Sequence, residues 1–242
     1  MRFLPLFALA LLAGVPTPPT SPLPADCLQA VVVLAPDWDA RQGTLQTYQR
    51  GGPELPWRPQ GEAIPVNLGR GGLGWGRGLH PAEAGPGPTK QEGDGRAPAG
   101  VFRLSAVFGS RDPRPDAGGL PFLETTESLE CVDDPASAYY NRIVDRREIA
   151  QPDWKSSEKM RIEPYGVGVV VDHNSDPPVP GAGSCIFMHI WQGETVPTAG
   201  CTVSAEPLMA SLAAWLRLEA HPVLVQLPEA EYRRLRAPWS LP

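Results

Sequence analysis

Apolar residues come in three rhythms along this chain, and each predicts a different element. Residues 3–15 form an almost unbroken apolar run, too short to cross a bilayer comfortably. Residues 30–34 are apolar on both faces, as in a buried strand, whereas 44–49 alternate like a strand with one wet face, so the two suit an antiparallel pair. Further strands are expected at 64–68, 101–106, 140–144, 166–171, 185–191 and 223–227. The segment 185–191 shows no alternation, which predicts a central strand covered on both sides and a sheltered His189. After Cys201 the spacing shifts to three and four through Leu208, Leu212, Trp215, Leu216 and Leu218, the signature of a helix. Ser204 is placed to cap it, and Glu206 and Pro207 suit its first turn. The helix should stop near His221 and Pro222, and residues 232–236 read as a solvated end.

The 30 prolines and 25 glycines are scattered between apolar runs, which adds many turns to this picture and makes the chain mainly β. Glycine-rich stretches at 69–80 and 90–100 are loops, and neither carries a phosphate-binding fingerprint. One β-rich domain with a helix packed on the sheet accounts for everything from Cys27 on. A single basic residue, Arg2, precedes the apolar run, and a proline-rich stretch at 16–22 follows it, which is the layout of a signal peptide and linker over 1–25. Cleavage could follow Gly14 or Ala25. The expected product is an exported, periplasmic or cell-envelope domain over 26–242, its core at about 30–227, with no membrane span after signal removal. A net charge of −6 and the absence of a basic stripe exclude a nucleic-acid partner.

Four cysteines, Cys27, Cys131, Cys185 and Cys201, lie far apart with no Cys-x-x-Cys pair, against a zinc or thioredoxin-type site. No ligand spacing points to a metal, and the reading calls for no cofactor. If Cys201 stays free for chemistry, at most one bridge forms; Cys27 with Cys131 is the expected pair.

Cys201 follows Gly200 in a turn and stands before a predicted helix, with His189 twelve positions upstream. A thiol is nucleophilic as thiolate, which a neighbouring imidazole and a helix N-terminus both favour. Gly200 would let a substrate carbonyl approach the amides of Gly200 and Cys201 as an oxyanion hole. The same residues also suit a small buried hydrophobe and a satisfied core histidine. His173, between Asp172 and Asn174, follows another buried strand and is a rival base; His80 and His221, beside prolines, read as surface residues.

Gly183-Ser184-Cys185-Ile186-Phe187-Met188-His189 with Pro197-Thr198-Ala199-Gly200-Cys201-Thr202-Val203 resembles the catalytic signature of L,D-transpeptidases with a YkuD-type domain, in a branch with a short His-to-Cys loop. Gly93-Asp94-Gly95-Arg96-Ala97-Pro98-Ala99-Gly100, together with residues 72–76, 139–142 and 171–174, is similar to that branch, so the likeness covers about 30–227. It implies a β-rich sandwich or barrel, a nucleophilic Cys201, His189 as general acid/base, and peptidoglycan stem peptides as partners; His173, Asn174, Thr198 and Trp191 are candidate substrate-lining residues. The sequence departs from better-known members at Ala199 and Val203, where they carry a histidine and an arginine, which changes how a substrate is held. Transfer to an amine and hydrolysis by water share the thioester step. The rival from another class is a secreted binding module in which a Cys185–Cys201 disulfide leaves no nucleophile.

Overall fold

The computed structural model describes residues 21–82, 84–110 and 118–242; the apolar run and the proline stretch up to residue 20 lie outside the described residues. In chain order the elements are β1 (Gln29–Ala35), β2 (Gln42–Gln49), β3 (Arg58–Asn67), β4 (Leu73–Trp75), β5 (Ala97–Gly109), β6 (Phe122–Glu124), β7 (Leu129–Val132), β8 (Ile143–Asp145), β9 (Ser157–Lys159), β10 (Val167–Val171), β11 (Phe187–Ile190), β12 (Thr202–Ser204), α1 (Glu206–Trp215), β13 (Val223–Pro228) and α2 (Glu229–Leu235). With 35% strand and 12% helix, the fold is mainly β.

The large sheet runs β10-β11-β12-β3-β2-β1-β13-β5-β4, and β5 also pairs with β10, so the sheet curls back on itself as a barrel-like wall. The expected antiparallel pair exists: Val31 lies opposite Thr47. On its other side β1 runs parallel to β13. Both strands are buried on both faces, which is why their sequences read as continuous apolar runs. A small second sheet, β8-β7-β9, stands apart and packs beside the end of β5 through Phe108 and Cys131.

The element carrying His189 is covered twice, as its lack of alternation requires. On one side α1 packs over β10, β11 and β12, burying Met209, Leu212 and Ala213 at helical spacing, with Leu216 just past its end. Each such aliphatic side chain contributes roughly 2 kcal/mol of burial. On the other side lie Phe108, Tyr165, Phe187, Cys201 and Val203.

Several expectations are corrected. Leu208 is not on the buried stripe and Leu218 is exposed, because the helix ends at Trp215 and the stripe is set by Met209. Ser204 belongs to β12 and donates its hydroxyl to Pro65 O (2.8 Å), so Ala205 stands at the helix start without a side-chain cap. Residues 232–236 are not a solvated end: they lie mostly in α2, which buries Leu235, and beyond it Trp239 and Leu241 enter the core. His80 is buried, edge-on to Phe102, with its ring against backbone carbonyls and the Val101 amide. His221 does stay exposed, beside Asp26. The packed body also reaches back past Cys27, since Leu23 joins the core and Ser21 Oγ donates to Trp239 O (2.6 Å). Among the described residues no helix is long and apolar enough to cross a membrane.

Candidate active site

The site is built where β11 meets β12. The two strands run parallel with His189 beside Val203. Residues two apart share a face, so Phe187 and His189 on β11 project from the same side as Cys201 and Val203. That side carries a cavity of about 240 Å³, lined among others by His189, Cys201, Tyr165, Glu158 and Trp191. The loop from β11 to Cys201 is pinned from below, because Asn67 Nδ2 donates to Gly193 O (2.9 Å) and Val196 O (3.2 Å).

Cys201 is free. The disulfide joins Cys131 to Cys185, with Cα atoms 5.9 Å apart, so neither the expected Cys27–Cys131 bridge nor a Cys185–Cys201 bridge forms. Geometry explains the correction: Cys27 lies in the main core beneath β1, whereas Cys131 belongs to the small sheet that packs against the segment entering β11. Burial pushes the Cys27 thiol up to about 12, and it donates to Gln29 O. A binding module locked by Cys185 and Cys201 is therefore not the structure this chain adopts.

The Cys201 sulfur accepts from the Phe187 N–H (3.4 Å) and lies 3.7 Å from Cys185 O, toward which its proton points. Burial, and then the nearby Glu158 carboxylate, raise its pKa well above the usual thiol range, offset in part by the Phe187 amide and Lys90. The rest form is a neutral thiol. A helix N-terminus does not lower it as expected, because β12 intervenes and α1 begins only at Glu206.

His189 is 9% exposed, and burial pushes its pKa down to about 4, opposed by the carbonyls of Ile190 and Pro164. Its Nδ1 lies 2.9 Å from Ile190 O, a contact that favours a proton on Nδ1, and the Pro164 carbonyl also faces the ring. The Tyr165 ring meets the imidazole edge-on at 4.8 Å. Among the described residues no hydrogen bond joins the imidazole to the sulfur; they share the cavity but hold separate partners.

Thr198 Oγ1 donates to Cys201 O (2.6 Å) and accepts from Gly200 N–H (3.1 Å). The Gly200 amide is thus occupied, which removes it from the expected oxyanion pair and leaves the Cys201 amide. Space at 200 is tight: a Cβ there would stand 3.1 Å from Arg96 O. Arg96 is itself fixed, its guanidinium donating to Leu73 O and Trp38 O while the Asp94 carboxylate accepts from Arg96 N–H and Lys90 Nζ. Gly95, at φ +69°, supplies the left-handed step that this turn requires. The Gly-Asp-Gly-Arg segment therefore backs the turn at Gly200, just before the nucleophile.

Of the four candidate substrate-lining residues, Thr198 and Trp191 line this cavity and His173 and Asn174 do not. His173 is 1% exposed, accepts at Nδ1 from Arg77 N–H (3.2 Å) and donates from Nε2 to Ala182 O (3.0 Å). Burial pushes its pKa down to about 3. Asp172 turns away to accept from Ser105 Oγ. Asn174 clamps its own loop through Val179 and Gly183. Asn141 completes the support, donating to His173 O and Asn174 O while its Oδ1 accepts from Cys185 N–H (2.9 Å). These residues position Cys185 and hence the carbonyl facing the sulfur.

Glu158 and Tyr165 are cavity residues that the sequence reading missed. Glu158 sits in the hydrophilic run 157–159, which looks like a solvated edge, and Tyr165 ends a short turn before β10. The usable signal was Tyr165 directly before the apolar strand. No family model matches the chain, and no curated protein matches it.

Proposed function

We propose that this chain is an exported cysteine acyltransferase of the L,D-transpeptidase kind, acting on cell-wall stem peptides. The observation that supports this reading best is an unbridged Cys201 sharing one cavity with His189 on the adjoining strand, while the Cys185 sulfur is tied to Cys131. Other motif residues of the resemblance brace the surroundings without lining the cavity: Asp94 accepts from the Arg96 amide, and Asn141 and Ser184 hold the segment entering β11.

In this mechanism the Cys201 S–H proton passes to His189 Nε2 as sulfur bonds to the substrate carbonyl carbon. Both groups are neutral at rest, so proton transfer accompanies attack and is not completed beforehand. The Cys201 amide faces the oxyanion. The C–N bond then breaks, and the leaving amine takes the proton from His189. A second amine attacks the thioester carbon and its proton goes to His189; the C–S bond then breaks, and sulfur takes that proton from His189 to restore the neutral thiol. The test is incubation of the full chain with purified stem tetrapeptides and analysis of products by mass. A cross-linked dimer with loss of one amino acid, absent with Cys201→Ser, is the expected result; shortened peptides alone would assign the acceptor as water, and unchanged peptides would refute the reading.

A further inference from the structure

Glu158, on β9, is the carboxylate that lines the cavity beside Cys201. Its hydrogen bond comes from the Tyr165 hydroxyl (2.8 Å), and among the described residues no cation pairs with it. Its neighbour Lys159 projects the other way, onto Glu130. Burial, and then the charges of the carboxylates Asp133 and Glu92, raise the pKa of Glu158, opposed by the Tyr165 hydrogen bond. Glu92 is engaged with the hydroxyls of Tyr140 and Ser184, and one buried oxygen of Asp133 has no hydrogen-bond partner. Lys90 is held by Asp94 and does not neutralise the group. The same cavity is apolar at its mouth, where Ile162 is 47% exposed and Val196 41% exposed.

We infer that Glu158 is a specificity-determining residue of this cavity: its carboxylate receives a primary ammonium that the substrate carries on an aliphatic stem, and that ion pair readies Cys201 for attack. The aliphatic stem fits the apolar mouth, and the ammonium meets a carboxylate that lacks a counter-charge. Glu158 is also a principal electrostatic opponent of a negative charge on the Cys201 sulfur. An ammonium placed on it cancels that field, so the correct substrate brings the charge that makes the thiol a nucleophile. The inference deepens the acyl-transfer reading and rests on it only for the attack step; ammonium recognition stands on the cavity itself.

The test uses the full chain carrying Cys201→Ala, titrated in a calorimeter with a lysine-containing tripeptide and with its Nε-acetyl derivative. The free amine should bind about tenfold more tightly, and adding Glu158→Gln, which keeps an acceptor for Tyr165, should erase the difference. Equal affinity for the two peptides with Glu158 present, or a preference that survives Glu158→Gln, overturns the inference. In the chain with Cys201 intact, Glu158→Gln should speed iodoacetamide labelling of Cys201 severalfold, read by peptide mapping; an unchanged rate overturns the coupling to the thiol. A retained amine preference in a chain that forms no acyl-enzyme from stem peptides would defeat acyl transfer and leave ammonium recognition standing.

Discussion

His173 and His189 lie at or near the ends of neighbouring antiparallel strands, both almost wholly buried and both held neutral by desolvation. By burial and by titration they look like the same kind of residue. Their surroundings separate them. His173 spends both ring nitrogens on the backbone, at Arg77 and Ala182, and so ties two loops together. His189 anchors Nδ1 on Ile190 and lines a cavity that the buried free thiol of Cys201 also lines. A depressed histidine pKa marks a sheltered ring; a ring that lines the same cavity as a free thiol marks a candidate base.

The sharpest way to break this contrast is to truncate each ring. His189→Ala should slow acylation of Cys201 by about 10²- to 10⁴-fold. His173→Ala should slow it less than about tenfold per folded molecule while lowering stability; equal losses in stopped-flow acylation would reassign the base. Next in size is the bridge that braces the segment leading to β11. Cys131→Ser with Cys185→Ser releases a closure spanning 54 residues, and urea unfolding should register a loss of about 4 kcal/mol. A loss below about 1 kcal/mol would show that the small sheet holds that segment without it.

Acid should then distinguish the locked ring by its protons. Both histidines have folded pKa values below the ordinary 6.5, at about 3 for His173 and about 4 for His189. Below pH 6.5 the unfolded chain takes up protons that the folded chain refuses, so the stability they contribute is present above 6.5 and falls with pH toward those lower values. Each contributes a loss of roughly 2 kcal/mol between pH 6.5 and 5. Glu158 and Asp172, with raised pKa values caused chiefly by burial, act in the opposite sense. The clean readout is therefore a difference: His173→Gln should flatten the pH dependence of unfolding by roughly 2 kcal/mol across that range, and an unchanged slope would mean that the ring is protonated in the fold. The smallest effect belongs to Thr198→Val, which removes the hydroxyl joining Gly200 and Cys201 and should cost about 1 kcal/mol of stability with a severalfold slower acylation.

Much of this architecture was legible in the residues because burial on both faces leaves a strong mark. The runs at 30–34, 166–171, 185–191 and 223–227 became β1, β10, β11 and β13 with small shifts of boundary. The short strands β6, β7 and β9 were not legible, since three or four residues with mixed polarity carry no period. The helix was legible and Leu212 and Leu216 are buried as expected, but Met209 and Ala213 complete the stripe in place of Leu208 and Leu218, because the helix ends at Trp215. At the site, Cys201 and His189 could be picked out by residue type and spacing. The disulfide partner could not, because pairing depends on which sheets meet. Nor could Glu158, whose neighbours Ser157 and Lys159 make its strand look solvated, or the engagement of the Gly200 amide, which requires knowing where Thr198 turns.

Intact-mass measurement of the full chain after exposure to a carbapenem tests the central claim most directly. The account predicts one covalent adduct per chain, mapped to the peptide containing Cys201 and abolished by Cys201→Ser. A chain that remains unmodified, or an adduct that persists in Cys201→Ser, would contradict it.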